Sequence, residues 1–167
     1  MSADHELSIG VLDLVQHVSA SFNGCFFMNL PEDILKLEGM TGRLTRKFYN
    51  TICKIKAEGR KIRYLEVGSW KGSSLISAMH ENTGHIHFTA VDNWSEFDGP
   101  KNEFLENLAK FKLEPTIVES DFLNYTPEKP IDIYLYDGAH DDESQYKAIT
   151  HMWPHLQHNA IVIIDDW

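Results

Sequence analysis

The sequence has little cysteine and no long apolar run. Cys25 and Cys53 are its two cysteines in 167 residues, and no CxxC pair occurs, which excludes a disulfide framework and a cysteine-based metal site. No apolar stretch approaches the ~18 residues that a membrane-spanning helix requires. Residues 1–10 lack the basic start and apolar core of a signal peptide. These absences predict a cytoplasmic protein with free thiols and no membrane partner.

Basic residues are also scarce. Lysine and arginine number 15 against 25 aspartate and glutamate residues, which gives a formal net charge of −10. A surface of that sign repels phosphate backbones, and there is no basic run beyond residues 59–63, so no nucleic-acid partner is expected. The hydrophobic fraction of 43% is near the globular average, and the length fits one domain.

From Lys61 onward, short apolar runs alternate with longer mixed segments, a pattern typical of β-α units around a parallel sheet. An α/β fold is therefore predicted. The predicted strands are Ile62–Val67, Ile86–Val91, Thr116–Val118, Ile131–Tyr136 and Ala160–Ile164. The predicted helices run from about Lys71 to about Gly84, from Gly99 to Phe111, and from Asp142 to Leu156.

The last predicted helix is expected to face the sheet with Tyr146, Ile149, Trp153 and Leu156, which share a helical spacing. Residues 1–60 are predicted to form a helical cap, with amphipathic segments at Ile9–Val18 and Leu44–Ile55. Residues 61–167 are predicted to form the core of the same domain.

A glycine or an aspartate lies at or just after the end of each predicted strand. In open α/β sheets, ligands bind in the crevice beyond the carboxyl ends of the strands. The sequence therefore predicts one rim of chemically useful residues, which are Gly68, Asp92, Asp121, Asp137 and Asp165.

The segment Glu66–Ser74 has the pattern E-x-G-x-x-x-G-x-S between a strand and a helix. Gly68 lets the backbone turn tightly and approach a ligand, and Gly72 permits close contact where the helix begins. The free N–H groups of a helix N-terminus suit a carboxylate. A dinucleotide site would have G-x-G-x-x-G instead. Trp70 stands where the middle glycine would be, so it would obstruct a pyrophosphate but tolerate an amino-acid tail.

Two aspartates follow the next two strands. Asp92 is placed to accept hydrogen bonds from ribose hydroxyls, and Asp121 suits the exocyclic amine of an adenine, with Phe122 as an apolar wall. Structural alternatives stay open at this stage. The glycines could be simple turn residues, Trp70 a core aromatic, and the two aspartates helix N-caps.

Three runs together carry a resemblance to a known family: Tyr64–Ser74, Val91–Trp94 and Tyr136–His140. They resemble the small-molecule class I S-adenosylmethionine-dependent methyltransferases. The similarity is greatest to the bacterial and phage methyltransferase-domain group, which is related to catechol and macrolide-sugar O-methyltransferases. The resemblance covers about residues 39–167. It implies a Rossmann-like doubly wound parallel sheet in strand order 3-2-1-4-5, an N-terminal helical cap, and S-adenosylmethionine as cofactor.

The resemblance also implies roles for single residues. Gly68 and Trp70 would line the methionine moiety, Ser74 would hold its carboxylate, Asp92 would hold the ribose, and Asp121 with Phe122 would flank the adenine. The full set of predicted cofactor-binding residues is Glu66, Gly68, Ser69, Trp70, Gly72, Ser74, Asp92, Asn93, Trp94, Asp121, Phe122 and Asp137.

Three carboxylates follow the last two predicted strands, Asp137 after the fourth and Asp165 with Asp166 after the fifth. Carboxylates that converge at a sheet edge repel one another, and a hard divalent cation would relieve that repulsion. A lysine or arginine side chain could also relieve the repulsion. The nearest lysines in sequence are expected elsewhere, Lys129 on the far side of the fourth strand and Lys147 on the outer face of the last helix. Magnesium or another divalent cation is therefore the predicted partner.

Catechol-type enzymes bind magnesium with an aspartate after strand four and an Asp-Asn pair after strand five. The resemblance makes Asp137, Asp165 and Asp166 the predicted metal ligands, although Asp166 stands where asparagine is usual. His140 lies where that branch carries a lysine base, and a neutral imidazole suits the acceptance of a hydroxyl proton. His140 and Asp137 are the predicted catalytic residues, and a loop histidine or helix cap is the alternative for His140.

Two functions stay open. The first is metal-assisted O-methylation of a small hydroxylated acceptor. The alternative is a non-catalytic or cofactor-degrading S-adenosylmethionine-binding protein. A Rossmann dehydrogenase is less favoured because of Trp70.

The resemblance also bears on the two ends of the chain. Met40, Thr41 and Gly42 would approach the methyl group. The resembling enzymes continue beyond the fifth strand, so the apolar run Ile161–Ile164 is expected to be an open edge that favours a homodimer.

Overall fold

Five parallel strands form the sheet at the centre of the computed structural model, which describes residues 29–166. Their bounds are β1 Ile62–Val67, β2 Ile86–Asp92, β3 Thr116–Glu119, β4 Ile131–Tyr136 and β5 Leu156–Ile164. They lie side by side in the order β3-β2-β1-β4-β5, and helices pack on both faces. The predicted doubly wound α/β fold and its strand order are confirmed.

Helices connect the strands and cap the sheet. They are α1 Glu32–Leu35, α2 Arg43–Ala57, α3 Ser73–Met79, α4 Lys101–Phe111 and α5 Asp142–Met152, with 3-10 turns at Phe122–Asn124 and Trp153–His155. α3 begins where the sequence predicts but ends at Met79 rather than near Gly84. The backbone leaves the helical region at the next residue, His80, whose ψ is 119°.

The sheet buries apolar side chains on both faces because successive residues of a strand point to opposite sides. In β1, Tyr64 packs in a cluster with Phe104 of α4, whereas Leu65 packs in a second cluster with Ala148 of α5. All six residues of β4 are buried, as expected for a central strand covered on both faces. The two central strands therefore hold the loops that follow them in fixed positions.

α5 presents a different face to the sheet from the predicted one. Tyr146 and Trp153 were expected to face the sheet but are 66% and 57% exposed. Ala148 is small enough to let the helix approach closely, and its carbonyl accepts a hydrogen bond from the Tyr134 hydroxyl at 3.2 Å. The residues that α5 buries are Gln145, Ala148 and Met152. The prediction is wrong for the two aromatic residues, because the face of α5 that packs on the sheet is the one that carries the small residue Ala148.

The chain also leaves α5 earlier than predicted. The helix ends at Met152 rather than Leu156, and Pro154 lies in the 3-10 turn that follows. Proline has no N–H to continue the helical ladder, which accounts for the early end. β5 then begins at Leu156 rather than at Ala160 and pairs with β4 across a local irregularity.

The cap is fastened to the core through Arg46 of α2, a helix that contains the predicted amphipathic segment Leu44–Ile55. Arg46 is 3% exposed, and its guanidinium donates to the carbonyl oxygens of Leu37 and Thr41, both at 2.9 Å. A buried guanidinium requires such acceptors. The segment after α1 is thereby held against α2, at the entrance to the strand ends.

Within residues 29–166, the outer side of β5 has no neighbouring strand, and Val162 is 38% exposed there. A homodimer through this edge stays a prediction, as does the division between cap and core at residue 60. The predicted segment Ile9–Val18 lies outside the described residues. In the part of the chain that the structure describes, no helix has both the length and the apolar character needed to cross a membrane.

Gly68 lies where the end of β1 meets the end of β4, too close for any side chain. Its φ is +82°, and a Cβ atom built on it would lie 2.0 Å from the carbonyl oxygen of Asp137. The Gly68 N–H donates to the Val91 carbonyl at 3.0 Å, and the Asp137 N–H donates to the Val67 carbonyl at 2.9 Å. Because both backbones are held by the sheet ladder, neither can withdraw, and the position requires glycine.

Gly68→Ala should therefore lower the free energy of unfolding by ~3 kcal/mol or more, through left-handed strain and a clash with fixed backbone. Gly59→Ala is the matched control, since Gly59 has φ +79° but a Cβ there meets nothing within 4 Å. The control should cost only ~1–2 kcal/mol. Urea denaturation followed by circular dichroism measures both losses. Equal losses would contradict the close contact.

Candidate functional site

The carboxyl ends of the strands open into one cleft. Backbone N–H groups just past the strands extend the sheet ladder; the Asp165 N–H, for example, donates to the Tyr136 carbonyl at 2.9 Å. The loops that follow the strands are thereby held side by side around a cleft of about 780 Å³. A cleft of this volume is typical of sites for small molecules and cofactors.

Most of the predicted site residues line this cleft. They come from the turn after β1, the end of β2, the loop after β3 and the end of β4. The lining members of the predicted cofactor set are Gly68, Ser69, Trp70, Ser74, Asp92, Asn93, Trp94, Asp121, Phe122 and Asp137. His140 and Asp166 line the cleft as well, with Met40 and Thr41 of the cap. What each residue does to a ligand stays a prediction.

Three predicted residues stand behind this lining. A Cβ on Gly72 would lie 2.9 Å from the ring of Phe104, so Gly72 allows the turn to pack on α4. Glu66 is completely buried under the turn. Asp165 lies beside Asp137, within reach of its carboxyl group. These residues shape the cleft from beneath.

Glu66 is a buried carboxyl group at the base of the turn. It accepts hydrogen bonds from the Tyr64 hydroxyl and the Ser74 hydroxyl, both at 2.8 Å. Burial raises the pKa of Glu66 to about 7, against the lowering effect of these hydrogen bonds. Near neutral pH the group is therefore divided between two states.

Asp92 holds the loops as well as lining the cleft. One carboxylate oxygen accepts the Trp70 N–H at 2.9 Å, and the other accepts the Trp94 N–H at 2.7 Å. A carboxylate has about four acceptor positions, so about two remain for a diol in the cleft. The structure is thus consistent with the predicted ribose contact and adds a second role that the sequence pattern did not indicate.

An apolar wall borders part of the cleft. Phe122 packs edge-on against Tyr136, with ring centroids 5.3 Å apart. Asp121 caps the short helix that carries Phe122, and its side chain accepts the Leu123 N–H at 2.8 Å. The helix-cap alternative therefore holds for Asp121, which still lines the cleft. The wall suits a planar ring.

A second part of the cleft lining is acidic. Burial and the neighbouring Asp165 carboxylate raise the pKa of Asp137, and His140 acts in the opposite direction. Nε2 of His140 lies 3.9 Å from Oδ1 of Asp137, close enough for an ion pair when the imidazole is protonated. The Gln145 amide donates to the backbone carbonyls of Asp165 and Asp166, at 3.3 and 3.1 Å, and so holds that loop.

Three carboxylates are predicted as metal ligands, and the structure brings two of them close together. Asp137 and Asp165 lie within hydrogen-bonding reach of each other, whereas Asp166 acts on Asp137 through its charge. Between residues 29 and 166, no group of three or more His, Cys, Asp or Glu side chains is arranged to hold a metal ion. Magnesium commonly binds through one or two carboxylates and keeps its waters. The pair has suitable donor chemistry, and the three-ligand set stays a prediction.

Phe97 and Lys147 also line the cleft. The sequence predicts Phe97, with the other aromatic residues near it, as part of the core and of a cofactor wall. Phe97 is 63% exposed and lies edge-on to Trp70, with ring centroids 6.5 Å apart. Lys147 was expected on the outer face of its helix. Lys147 is exposed and pairs with Glu143, as an outer position requires, and it borders the cleft as well.

The raised pKa of Glu66 makes stability depend on pH. A carboxyl group with a folded pKa of about 7 and an ordinary value of 4.5 binds its proton more tightly when folded. The free energy of unfolding should therefore fall as pH rises from about 4.5 to about 7 and then level off. Glu66→Gln removes this effect. The variant should gain on the order of 3 kcal/mol relative to wild type across that window.

Urea denaturation at several pH values measures this gain. Tyr64→Phe is the matched control, since it removes a hydrogen bond that lowers the pKa of Glu66 and should extend the window to higher pH. If the free energy of unfolding changed with pH equally in wild type and Glu66→Gln, the pKa of Glu66 would not be raised in the folded protein.

The sequence belongs to a recognised domain type. The profile of the family described as "Methyltransferase domain" matches residues 65–167, which include the turn after β1 and every later strand. A comparison with curated protein sequences gives no match.

Solved structures share the fold. A candidate caffeoyl-CoA O-methyltransferase from Staphylococcus aureus is 21% identical with a TM-score of 0.62, over 97% of this chain and 73% of that one. An SAH-bound methyltransferase from Podospora anserina is 16% identical with a TM-score of 0.67, over 92% and 69%. An S-adenosylmethionine-dependent O-methyltransferase from Thermotoga maritima is 18% identical with a TM-score of 0.57, over 73% and 43%. With a family match over residues 65–167 and the fold of these enzymes, the chain belongs to the methyltransferase-domain family.

Proposed function

We propose that the protein is an S-adenosylmethionine-dependent O-methyltransferase that acts on a small hydroxylated molecule, with a divalent cation assisting the transfer. The observation that carries the proposal is the shared cleft. The turn at Gly68, the Asp92 carboxylate and the pair Asp137 and His140 all open into it, in a chain of the methyltransferase-domain family. That family membership does not favour the alternative of a non-catalytic or cofactor-degrading binding protein.

The cleft fits the cofactor at three points. The turn at Gly68 lines the cleft, where its backbone can lie against an amino-acid tail. Asp92 retains free acceptor positions for the ribose hydroxyls, and Phe122 with Tyr136 offers a wall to the adenine. The related structure from Podospora anserina is SAH-bound, and SAH is the demethylated form of this cofactor. The cofactor supplies a methyl group activated on a sulfonium ion.

The acceptor end of the cleft provides a proton acceptor. His140 has a side chain 45% exposed at the cleft, next to the 22% exposed side chain of Asp137. In the transfer of a methyl group from the cofactor to an acceptor hydroxyl, the His140 imidazole would take the proton that the hydroxyl loses. The negative charge of Asp137 stabilises the imidazolium that forms. Met40 and Thr41 of the cap border the same space and would contact the acceptor.

The charges around the cleft favour an uncharged or cationic acceptor. Its lining carboxylates are Asp92, Glu96, Asp121, Asp137 and Asp166. Among the described residues, Lys147 is the one lysine or arginine in the lining, and it is paired with Glu143 at 2.5 Å. Residues 1–28 contain no lysine or arginine that could add a positive charge. A phosphate-bearing acceptor would therefore meet net repulsion.

A divalent cation would be held by Asp137 and Asp165, with water completing its coordination. It would relieve the repulsion that raises the pKa of Asp137. Bound there, a cation polarises an acceptor hydroxyl and makes its proton easier to remove. His140 would remain the group that receives the proton.

S-adenosylmethionine and SAH should bind, and NAD should not, because Trp70 obstructs a pyrophosphate. Isothermal titration with each ligand measures this. Phe122→Ala should weaken the binding of S-adenosylmethionine by ~1–3 kcal/mol, since it removes the wall against the adenine. Tyr146→Ala is the matched control because this aromatic residue is 66% exposed and outside the cleft lining. NAD binding with no response to S-adenosylmethionine or SAH would overturn the proposal.

Magnesium should raise the melting temperature, because it binds the folded carboxylate pair and not the unfolded chain. Differential scanning fluorimetry with magnesium, calcium and manganese measures the rise. Asp137→Asn should abolish it, whereas Asp98→Asn, in an exposed loop, should leave it intact. If no cation moves the wild-type curve, the metal-assisted step is wrong, and His140 with the bound cofactor must carry the transfer.

A further inference from the structure

Trp70 is in two unfavourable situations at once. Its φ is +44°, in the left-handed region that a bulky side chain rarely adopts. Its indole N–H is buried and has no hydrogen-bond partner among the described residues. Both features cost free energy, and such a conformation persists only where the surroundings hold it.

The holding residues lie at the end of β2. The Trp70 N–H donates to Oδ2 of Asp92 at 2.9 Å. The Trp70 carbonyl accepts from the indole N–H of Trp94 at 3.0 Å. Asp92 in turn accepts the Trp94 N–H at 2.7 Å. Both backbone polar groups of Trp70 are thus bonded to one short segment, residues 92–94, which lies more than twenty residues further along the chain.

Trp94 is itself held in place. Its side chain is 7% exposed and packs on Phe104 of α4, with ring centroids 5.2 Å apart. The ammonium of Lys101 lies 5.7 Å from the indole centroid. α4 also reaches the turn directly, since the Asn107 amide donates to the Lys71 carbonyl at 2.9 Å. The indole of Trp94 is therefore a fixed donor and not a mobile side chain.

We propose that Trp94 is a positioning residue for cofactor binding. Its indole N–H holds the Trp70 carbonyl and keeps the turn after β1 in the shape that faces the cleft. The part that acts is the N–H donor, and the aromatic ring serves to aim it. The identity of the ligand rests on the proposed function, whereas the hydrogen bond and its effect on the turn do not.

Hydrogen–deuterium exchange without any ligand tests the hold on the turn. Trp94→Phe keeps an aromatic ring but removes the N–H, so amides in a peptide spanning residues 68–74 should exchange about fivefold faster, as expected for the loss of one hydrogen bond. Leu108→Ala is the packing control, since this 4% exposed residue of α4 supports the core without bonding to the turn. Unchanged exchange in Trp94→Phe would overturn the proposal.

Titration with S-adenosylmethionine tests the consequence for binding. Trp94→Phe should raise the dissociation constant about fivefold or more. Leu108→Ala should lower the melting temperature and leave the dissociation constant unchanged. If wild type binds the cofactor and Trp94→Phe binds it equally well, Trp94 is only a packing residue. If wild type binds neither S-adenosylmethionine nor SAH, the proposed function fails, and the exchange experiment alone judges the hold on the turn.

Discussion

The close approach of the Gly68 backbone to the Asp137 carbonyl is the constraint on which the site depends. β1 and β4 are neighbours in the sheet, so the turn that follows one strand must pass directly over the end of the other. This contact brings a turn that can surround an amino-acid tail next to the carboxylate that begins the acidic end of the cleft. The two halves of the site are adjacent because two central strands of a parallel sheet end at the same level.

Two carboxyl groups are buried around this contact, and their burial costs free energy of folding. Glu66 is fully buried beneath the turn, and the pKa values of Glu66 and Asp137 are both raised by burial. Neither group is needed to complete the apolar core. Retained buried carboxyl groups with shifted pKa values are typical of binding and catalytic sites.

The sequence predicts the central sheet well and its surroundings less well. The bounds of β1 and β4 agree with the prediction because both segments are dominated by β-branched, leucine and tyrosine residues, a composition typical of buried strands. α5 was misjudged because helical spacing fits more than one face, and the presence of Tyr146 and Trp153 favoured the wrong one. The early end of that helix is explained by Pro154, which lacks the N–H needed to continue the helix. The sequence therefore contains the information that sets this boundary.

The site, too, was predicted well at the strand ends and less well in the contacts between loops. Residues placed at strand ends were found, since strand ends follow from the pattern of the strands. The bonds that join Trp70 to Trp94 were not found, because a side-chain donor and a carbonyl distant in sequence leave no periodic signal. Phe97 lines the cleft through left-handed backbone at residues 97–99, which composition alone does not reveal.

Arg46 secures the entrance segment of the cleft by bonding to main-chain carbonyl oxygens and not to side chains. Such an attachment is indifferent to which amino acids the segment carries. Met40, which is 70% exposed at the cleft, can therefore be exchanged for residues of other size or polarity without loosening the segment. The arrangement separates what the segment presents to the cleft from the upkeep of the fold, so that residues bordering the cleft can change while their backbone stays in place.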